Sequence, residues 1–313
     1  MSEKIAIRDA YGEALRELGG INEKVVALEA DVGGSTKSIL FGKAYPERYY
    51  NVGISELNMV NMSAGMALEG MIPYVNTFAV FMASRALDPV QSLIAYDHLN
   101  VRLCGTYCGL SDSYDGASHQ AITDIAAMRA IPGMTVISVA DAVETKKAVM
   151  ALAEYEGPAY LRLSRAAEPV TYKEDFQFEI GKGVVHTEGK DLTIISAGTV
   201  LYNVLEAAKI LETQGISVTV VDMHTIAPID RDLIAECAEK TGAILTVEEH
   251  SIRGGLGSAV TEVTAETCPV PVEILGMEDF AESGPLDLLT HKYGFGAEHI
   301  AERAKQLLRR KEK

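Results

Sequence analysis

The sequence predicts an α/β fold in two domains, each built on a mostly parallel sheet. Apolar, strand-like runs alternate with amphipathic helical patterns along almost all of the 313 residues. The alternation is interrupted once, by a polar stretch containing Pro and Gly, from 166 to 183. The chain is long enough for two hydrophobic cores. We therefore expect a first domain over 1–167, a linker over 168–184 and a second domain over 185–313.

The elements of the first half follow from their patterns. Predicted strands are short, apolar and rich in β-branched residues: EKVVALEAD, MIPYVNTF, LNVRLCGTY, MTVISVAD and PAYLRLSR. Helical periodicity covers ITDIAAMRAI and DAVETKKAVMALAEY, and an Asp suited to N-capping opens the second of these. The stretch 55–70 begins with an acid and continues with Met and small residues. It predicts a helix that lies either in the core or at a subunit interface.

The second half repeats this alternation. Its predicted strands are DLTIISAG, ISVTVVDMH, AILTVEEH and VPVEILGM. Its predicted helices are LYNVLEAAKILETQG, IDRDLIAECAEKTG and GLGSAVTEVTAET, followed by a terminal amphipathic helix, EHIAERAKQLLRRKEK. A strand–helix alternation of this kind is typical of parallel sheets covered by helices on both faces.

Composition and charge exclude several classes of protein. The formal net charge is −16, which argues against a nucleic-acid or anionic-membrane surface, because phosphate-bearing partners need a basic patch. The first residues lack a targeting pattern, and no apolar run reaches the roughly 18 residues of a membrane span. These features predict a cytoplasmic protein. The four cysteines lack zinc-site spacing, and we expect reduced structural thiols: Cys104, Cys108, Cys237 and Cys268.

Several catalytic motifs are missing from the sequence. GGLGSAV, at 254–260, has neither the glycine order of a dinucleotide fingerprint nor the Lys of a P-loop, so it predicts a tight turn into a helix. The sequence contains no Ser nucleophile elbow and no H-E-x-x-H metal helix. It also lacks a GDG-type motif, which holds a diphosphate through a divalent metal. A Rossmann dehydrogenase is therefore disfavoured.

Candidate site residues lie near predicted strand ends, where open α/β sheets bind ligands. Arg165 is a cation at the end of the strand PAYLRLSR. The loop YDGASHQ contains Asp115 and His119, and a His can move protons near neutral pH, although a lone His is often structural. Phe78 and Phe81 share one face because they are three residues apart, which core aromatics would also do.

Glu56 is the acid at the start of the apolar helix predicted over 55–70. Taken alone, it could simply complement the helix dipole, since a carboxylate in a first turn is stabilising. Its position directly after a short strand and a Gly is also that of a site residue. The residues themselves leave these two interpretations open.

Taken in order, these segments resemble transketolase. The resemblance runs through ALEADVGGS, NVGISE, TFAVFMASRALDPV, YDGASHQ and YLRLSR, and continues through VVDMHTIAPID and VEEHSIRGGLGSAV. It covers nearly the whole chain but corresponds only to the later half of a full-length transketolase, namely the pyrimidine-binding and C-terminal domains. The diphosphate-binding domain with its GDG metal site has no counterpart. The resemblance therefore implies one subunit of a split, thiamine-diphosphate-dependent transketolase.

The resemblance assigns roles to matched positions. Glu56 matches the Glu that bonds to a ring nitrogen of the cofactor's aminopyrimidine and so promotes loss of a proton from the thiazolium carbon. Phe78 and Phe81 match aromatics that pack the pyrimidine ring. Asp115 matches an acid that reads a substrate hydroxyl. His119 matches a His near the sugar carbonyl or hydroxyl, with a role in proton transfer.

The match to the family is less complete among the residues expected to hold the phosphate end of the substrate. Arg165 and Ser35 match residues that hold the sugar phosphate, and Asp31 lies in the same motif as Ser35. An Arg suits a phosphate because its planar fork donates two hydrogen bonds. The sequence departs from the family at Tyr107, where many transketolases have a His that helps to hold the substrate. It also departs at Ser84, where an aromatic is common near the pyrimidine.

The implied reaction is the transfer of a two-carbon ketol unit from a ketose phosphate to an aldose phosphate. Thiamine diphosphate is the expected cofactor, with Mg²⁺ or Ca²⁺ held by a partner subunit that carries the diphosphate-binding domain. We expect an assembly of two copies of each subunit. Two alternatives use the same cofactor: a β-type E1 subunit of a 2-oxo-acid dehydrogenase and a 1-deoxyxylulose-5-phosphate synthase-like half. A third is a non-catalytic paralogue, which the joint presence of the site residues disfavours.

Overall fold

The computed structural model describes residues 4–311, in which strands and helices alternate along the chain. The strands are β1 (Lys4–Ala6), β2 (Val25–Glu29), β3 (Tyr49–Asn51), β4 (Ile72–Phe78), β5 (Arg102–Thr106), β6 (Thr135–Ser138), β7 (Ala159–Leu163), β8 (Ala167–Pro169), β9 (Val184–Thr187), β10 (Leu192–Ser196), β11 (Val218–Asp222), β12 (Thr225–Ala227), β13 (Ile244–Ser251) and β14 (Val272–Met277). The predicted strands of both halves are present.

The longer helices match most of the predicted ones. The helices are α1 (Ile7–Ile21), α2 (Gly33–Thr36), α3 (Ile39–Ala44), α4 (Glu56–Leu68), α5 (Ala79–Ser84), α6 (Leu87–Pro89), α7 (Asp124–Arg129), α8 (Ala142–Glu154), α9 (Leu201–Thr213), α10 (Arg231–Thr241), α11 (Leu256–Glu266), α12 (Leu286–Lys292) and α13 (Ala297–Lys311). Two of them begin at an Asp cap, of which Asp141 was expected from the sequence. Asp141 accepts a hydrogen bond from the Glu144 amide at 2.9 Å, and Asp230 accepts one from the Leu233 amide at 3.2 Å.

Two main sheets organise the chain, and they confirm the predicted α/β class. The first has seven strands in the order β12-β6-β7-β5-β4-β2-β3, all parallel except β12. The second has five strands in the order β14-β13-β10-β11-β9, with β9 antiparallel. Strands such as β5, β7 and β10 are buried along their whole length, because helices cover both faces of the sheet.

The two halves share structure across the predicted linker. Strand β12 follows β11 in the second half, yet it pairs with β6 and forms one edge of the first sheet. Strand β8 lies partly within the predicted linker and pairs with β1. One hydrophobic cluster contains residues of both halves, including Met59 and Val75 from the first and Val221 and Ile226 from the second.

Helix α4 has a core face and an open face. Met59, Val60, Ser63 and Ala64 are buried against the first sheet. Apolar side chains outside this buried face are exposed, namely Leu57, at 48%, and Leu68 at the end of the helix, at 69%. The core interpretation of this helix therefore holds for one face, and the interface interpretation remains a prediction for the other.

Two buried carboxyl groups meet where the halves join. Glu144 belongs to α8 and Asp222 ends β11. The two side chains lie close enough for each to shift the pKa of the other, and Glu144 Oε1 and Asp222 Oδ1 have no hydrogen-bond partner among residues 4–311. The Tyr172 hydroxyl donates to Asp222 Oδ2 at 2.7 Å and lies 3.1 Å from His186 Nε2. Two buried carboxylates in contact repel each other strongly, so the pair holds a shared proton.

Burial raises the pKa of both acids. The pKa of Glu144 lies well above its ordinary value because of burial and the neighbouring Asp222. Burial raises the pKa of Asp222 to about 7, although hydrogen bonds from Tyr172 and Glu144 act in the opposite direction. The carboxylate of Asp141 faces the pair and raises the pKa of both acids further. Each acid therefore binds its proton more tightly in the folded than in the unfolded chain. This stabilisation is present in acid and is lost as the pH rises through the folded pKa values.

We expect Glu144→Gln to weaken the dependence of stability on pH, because a neutral amide can donate to Asp222 without a proton to lose. Between about pH 5 and about pH 8 the wild type should lose roughly 1–3 kcal/mol more unfolding free energy than the variant. Urea unfolding at several pH values measures this difference. Glu154→Gln, at the exposed end of the same helix, is the matched control and should follow the wild type. If the unfolding free energy depends on pH in the same way for the wild type and Glu144→Gln, the shared proton is contradicted.

The cysteines form no disulfide, and three of the four are buried. Burial raises the pKa of the Cys104 and Cys108 thiols to about 12, which makes both poor nucleophiles. Within residues 4–311, no helix has the length and apolar character needed to cross a membrane.

Candidate active site

The predicted site residues gather at one edge of the first sheet. Strands β7, β5, β4 and β2 are neighbours, and all four run in the same direction. Arg165 follows β7, Tyr107 follows β5, Phe78 ends β4 and Asp31 follows β2. The carboxyl ends of these four parallel strands therefore place the four residues side by side, at the edge where such sheets bind ligands.

Glu56 opens helix α4 and is buried, with 6% of its surface exposed. Its Oε1 accepts a hydrogen bond from Arg85 Nη1 at 2.9 Å, and Oε2 has no hydrogen-bond partner among the described residues. The Arg85 guanidinium carbon lies 3.8 Å from the centroid of the Phe81 ring. Because Arg85 is half-exposed, the one side chain that bonds to Glu56 among residues 4–311 can move away from it.

An aromatic cluster connects Glu56 to the rest of the site. The Phe78 and Phe81 rings have centroids 5.8 Å apart, and the His119 ring lies edge-on to both, at 6.1 Å and 5.3 Å respectively. His119 Nδ1 is 2.9 Å from the Ser118 hydroxyl, which leaves Nε2 as the ring nitrogen able to meet a ligand. The flat faces and the imidazole edge suit a planar ring next to a polar reacting group.

Two arginines contact Tyr107. Strand β1 pairs with β8 so that Ala6 faces Ala167, and the Ile7 amide continues this ladder by donating to the Ala166 carbonyl at 3.2 Å. The next residues in this register are Arg8 and Arg165. Both guanidinium groups contact Tyr107, with guanidinium carbons 5.6 Å and 5.1 Å from its ring centroid.

Arg8 also reaches the loop that contains Ser35. Arg8 Nη1 donates to the Ser35 carbonyl oxygen at 3.4 Å and to the Tyr107 hydroxyl. Ser35 itself lies in the short helix α2 and meets Arg8 through its backbone carbonyl. No hydrogen bond joins Ser35 to Arg165 among residues 4–311, so their shared role stays a prediction. Asp31 stays at the margin, exposed and bonded through Oδ1 to Asn51 Nδ2 at 3.0 Å.

Asp112 orients Arg165 and lies near the predicted Asp115. Asp112 is buried and its Oδ1 accepts from Arg165 Nη1 at 2.9 Å, while its Oδ2 has no hydrogen-bond partner among residues 4–311. Burial, followed by the neighbouring Asp115, raises the pKa of Asp112, while the Arg165 charge lowers it. The ion pair uses one nitrogen of the Arg165 guanidinium, and the other N–H groups of Arg165 can bind a ligand.

The second domain holds the loop 111–120 in place. The Gly284 amide donates to the Ser113 carbonyl at 2.9 Å, and Gln120 Nε2 donates to the Glu282 carbonyl at 3.2 Å. Gly116 has a φ of 76° and lies so close to the Ser283 side chain that a Cβ atom would collide with it. His119 therefore owes its position to both domains.

Sequence reasoning missed three residues of the site. Arg8 gave no local signal, because its role depends on the pairing of β1 with β8, which are far apart in the chain. Asp112 lies three residues before Asp115 and could have been noticed as a second acid in the loop. Arg85 became visible only through its contact with Glu56. Ser84, next to it, is exposed at the end of α5 and donates to the Val80 carbonyl.

The side chains present fit an aminopyrimidine ring. Glu56 offers a buried acceptor oxygen for a ring N–H, and the Phe78 and Phe81 faces lie nearby, joined to it by Arg85. By contrast, residues 4–311 contain no group of three His, Cys, Asp or Glu side chains suited to a metal ion.

Comparisons with known proteins identify the family of the chain. The fold and site define a two-domain α/β chain whose first domain is of the pyrimidine-binding type. The family model described as "Transketolase, pyrimidine binding domain" matches residues 3–170, and that described as "Transketolase, C-terminal domain" matches 181–300. The chain therefore belongs to the transketolase family, whose members depend on thiamine diphosphate.

Three relatives show how much of a transketolase this chain represents. It is 43% identical over 301 residues to a protein described as a transketolase C-terminal section in Methanocaldococcus jannaschii, covering 95% of this chain and 94% of that one. It is 36% identical to a 6-deoxy-6-sulfo-D-fructose transketolase subunit of Clostridium sp. (strain MSTE9), covering 97% and 95%. It is 38% identical to transketolase of Rattus norvegicus, covering 98% of this chain but 50% of that one.

A solved structure supports the same relationship. The chain superposes on one described as "Split gene transketolase, inactive beta4 tetramer" with a TM-score of 0.90 and 46% identity, covering 98% of this chain and 99% of the other. The resemblance to one subunit of a split transketolase, predicted from the motifs, is thereby confirmed at the level of the family.

Proposed function

We propose that this chain is the C-terminal subunit of a split transketolase. With a separate diphosphate-binding subunit it would transfer a two-carbon ketol unit from a ketose phosphate to an aldose phosphate. The observation that carries the proposal is the arrangement at one sheet edge. The buried Glu56 is bonded to Arg85, which lies over Phe81 in the aromatic cluster with His119 and Phe78. Phe78 in turn contacts Tyr107, which two arginines also contact. A site for an aminopyrimidine thus lies next to a site for an anion.

Each side chain has a task consistent with its surroundings. Glu56 would accept a hydrogen bond from a ring nitrogen, and Phe78 and Phe81 would pack against the ring. When bound, thiamine diphosphate supplies the carbon nucleophile of the reaction. His119 Nε2 would hold or move a proton at a sugar oxygen, while Asp115 would accept a hydrogen bond from a sugar hydroxyl.

The other end of the sugar would meet the cationic part of the site. Arg165 and Ser35 are the predicted phosphate-holding residues, and the geometry adds Arg8, which contacts both the Ser35 loop and Tyr107. Asp31 would lie at the margin of this end, because it is in the same loop region and is exposed. Opposite charges fix the substrate's orientation, so the carbonyl would point toward His119 and Glu56.

A partner subunit completes the proposal. Because this chain matches half of the rat transketolase, we propose that the missing half carries the diphosphate-binding domain and the Mg²⁺ or Ca²⁺ site. We further propose an assembly with two copies of each subunit. The exposed apolar face of helix α4 is the surface proposed for contact between subunits.

The experiment that tests the function is a tagged pull-down of this chain from its native cell extract, followed by an assay with thiamine diphosphate and Mg²⁺. We expect a partner with a GDG motif, and ketol transfer only when both subunits are present. Pyruvate with glyceraldehyde phosphate, and a 2-oxo acid alone, are the substrates that would reveal the two alternative activities. Recovery of the chain alone, or with a partner lacking that motif, would contradict the proposal.

Arg165→Ala should impair the binding of phosphorylated substrates more than the chemical step. Loss of a charged hydrogen bond to the anion should raise the KM for an aldose phosphate about 10- to 100-fold, with a much smaller change in kcat. Steady-state kinetics of the assembled enzyme measure this split. Arg16→Ala is the matched control, since within residues 4–311 the exposed Arg16 pairs with the exposed Glu13 and with no residue of the candidate site. An equal rise in the KM for a non-phosphorylated aldose would contradict the role of Arg165.

A further inference from the structure

A cleft of about 480 Å³ lies where the two halves of the chain meet. One wall is the ladder of β1 and β8, which contributes Lys4 and Glu168. The other wall belongs to the second half and is formed by the turn after β10, by the first turns of α9 and α13 and by α12. The residues proposed above to contact the cofactor or the sugar, all of which the structure describes, lie outside this lining. The volume suits a small molecule.

The cleft lies at the carboxyl ends of two strands of the second sheet. Strand β10 pairs with β11 on one side and with β13 on the other, and the chain leaves β10 through α9 to reach β11. The strand order therefore reverses between β10 and β13, and open α/β sheets bind ligands beside the strand ends at such a point. Thr199 follows β10, and Glu249 lies just beyond Val247, the last residue of β13 in register with β10. Both Thr199 and Glu249 line the cleft.

The lining of the cleft is acidic. Among the described residues it has one Lys or Arg side chain, that of Lys4, and His291, against five carboxyl groups: Glu168, Glu206, Glu249, Asp287 and Glu298. Three of these acids are balanced by their own surroundings. Glu206 pairs with Lys209 at 2.7 Å, and Asp287 and Glu298 lie in the first turns of α12 and α13, where a carboxylate complements the helix dipole. The negative charge that remains belongs to Glu168 and Glu249.

Glu168 and Glu249 lack donors for their carboxyl oxygens. Glu249 is 8% exposed, its Oε2 accepts from the Thr199 hydroxyl at 3.4 Å, and its Oε1 has no hydrogen-bond partner among residues 4–311. The half-buried Glu168 side chain forms no hydrogen bond or ion pair within the same range. Burial, followed by the charge of Glu249, raises the pKa of Glu168 to about 8, while Lys4 lowers it. A cation placed between two such acids would relieve their repulsion.

The other lining groups favour an organic ammonium ion over a metal ion. The described chain contains no group of three His, Cys, Asp or Glu side chains suited to a metal. An ammonium group donates several hydrogen bonds, and Asn203 offers a third acceptor, because its Nδ2 donates to a backbone carbonyl at 2.9 Å and leaves Oδ1 available. The half-buried Tyr202 ring adds an aromatic surface, which attracts ammonium groups.

We propose that this cleft binds a small amine, and that Glu168 and Glu249 are the carboxylates that hold its ammonium group. The bound amine connects the β1–β8 ladder to the second sheet, so it stabilises the junction between the two halves of the chain. The site is independent of the proposed ketol transfer and of a partner subunit, because this chain alone contains every residue named for it.

Calorimetric titration of the full chain with 1,4-diaminobutane tests the site, and 1,4-butanediol is the uncharged probe of the same length. We expect saturable binding of the diamine and none of the diol. Because the ammonium group favours the ionised form of Glu168, binding at about pH 7 should release a proton, and affinity should fall as the pH is lowered from about 8 to about 6. Titrations in two buffers with different ionisation enthalpies measure the proton release. Glu168→Gln should abolish that release and lower the affinity about 10-fold.

A matched double variant separates this site from general attraction to an acidic protein, since the chain has a net charge of −16. Glu168→Gln/Glu249→Gln should lower the affinity at least about 100-fold. Glu23→Gln/Glu239→Gln removes two exposed acids outside the cleft and should bind within about twofold of the wild type.

Three results would overturn the proposal: no saturable binding of the diamine by the wild type, equal binding of the diol, or equal losses in the two double variants. Thermal melting of each variant shows whether it is folded. If Glu249→Gln disturbs the fold, the half-buried Glu168 decides the question alone, and unchanged affinity and proton release in Glu168→Gln would then reject the site.

Discussion

Glu56→Gln should abolish ketol transfer by the assembled enzyme and leave the fold intact. The Gln side chain has the same shape and can still accept a hydrogen bond from Arg85, but it lacks the negative charge that would polarise a ring nitrogen. We expect turnover at saturating cofactor to fall by at least about 10²-fold. Unfolding free energy should change by less than about 1 kcal/mol, because the ion pair that is weakened includes a half-exposed Arg.

The control for this variant lies on the same segment. Glu69→Gln changes an exposed acid at the end of helix α4 and should retain full turnover. Initial rates of the reconstituted complex, together with thermal melting of each chain, distinguish a chemical from a structural effect. Near-wild-type turnover in Glu56→Gln would remove Glu56 from the mechanism and leave it as a first-turn acid that complements the helix dipole.

Arg162→Met should be the most destabilising single change in the first sheet. Arg162 is 3% exposed, and its Nε donates to the fully buried Asp124 at 2.8 Å. Its Nη2 donates to the Ala121 carbonyl at 3.1 Å and to the Glu249 carbonyl at 2.8 Å. Removing it leaves a buried carboxylate without its counter-charge, which costs about 3–5 kcal/mol. Urea unfolding should show a correspondingly lower midpoint.

Two further variants test whether the uncompensated charge is the cause. Arg162→Met/Asp124→Asn removes the charge as well and should recover part of the lost stability, since the neutral amide is cheaper to bury. Arg16→Met breaks an exposed pair with Glu13 and should change the unfolding free energy by less than about 1 kcal/mol. Equal midpoints for Arg162→Met and Arg16→Met would show that the buried pair contributes little.

The sequence was sufficient for the fold class because periodicity is a local property. Strand β5, for example, lies within LNVRLCGTY, and α8 begins at the Asp cap that the pattern offered. The predicted ends of the helices were less accurate. The helix predicted over ITDIAAMRAI is confined to α7, and α1 was not predicted at all. The start of α1 has no side-chain cap, so the usual signal for a helix beginning was missing.

The site could be predicted only where motifs carried it. The aromatic cluster of Phe78, Phe81 and His119 follows from the resemblance, and the structure brings the three rings together. Arg8 and Asp112 were not predicted, because their contacts depend on the β1–β8 pairing and on the fold of a loop, which no local pattern encodes. The partner of Glu56 was not predicted for the same reason, because Arg85 is 29 residues away in the chain.

Strand β12 has a consequence for how the molecule avoids self-association. Without Thr225–Ala227, strand β6 would become the outermost strand of the first sheet, with a buried, β-branched sequence on an open edge. Open edges of this kind recruit strands from other molecules. The second half of the chain therefore shields the first from aggregation. A fragment cut at the segment between β8 and β9 would lose this shield, whereas a nicked chain that keeps both pieces would retain it.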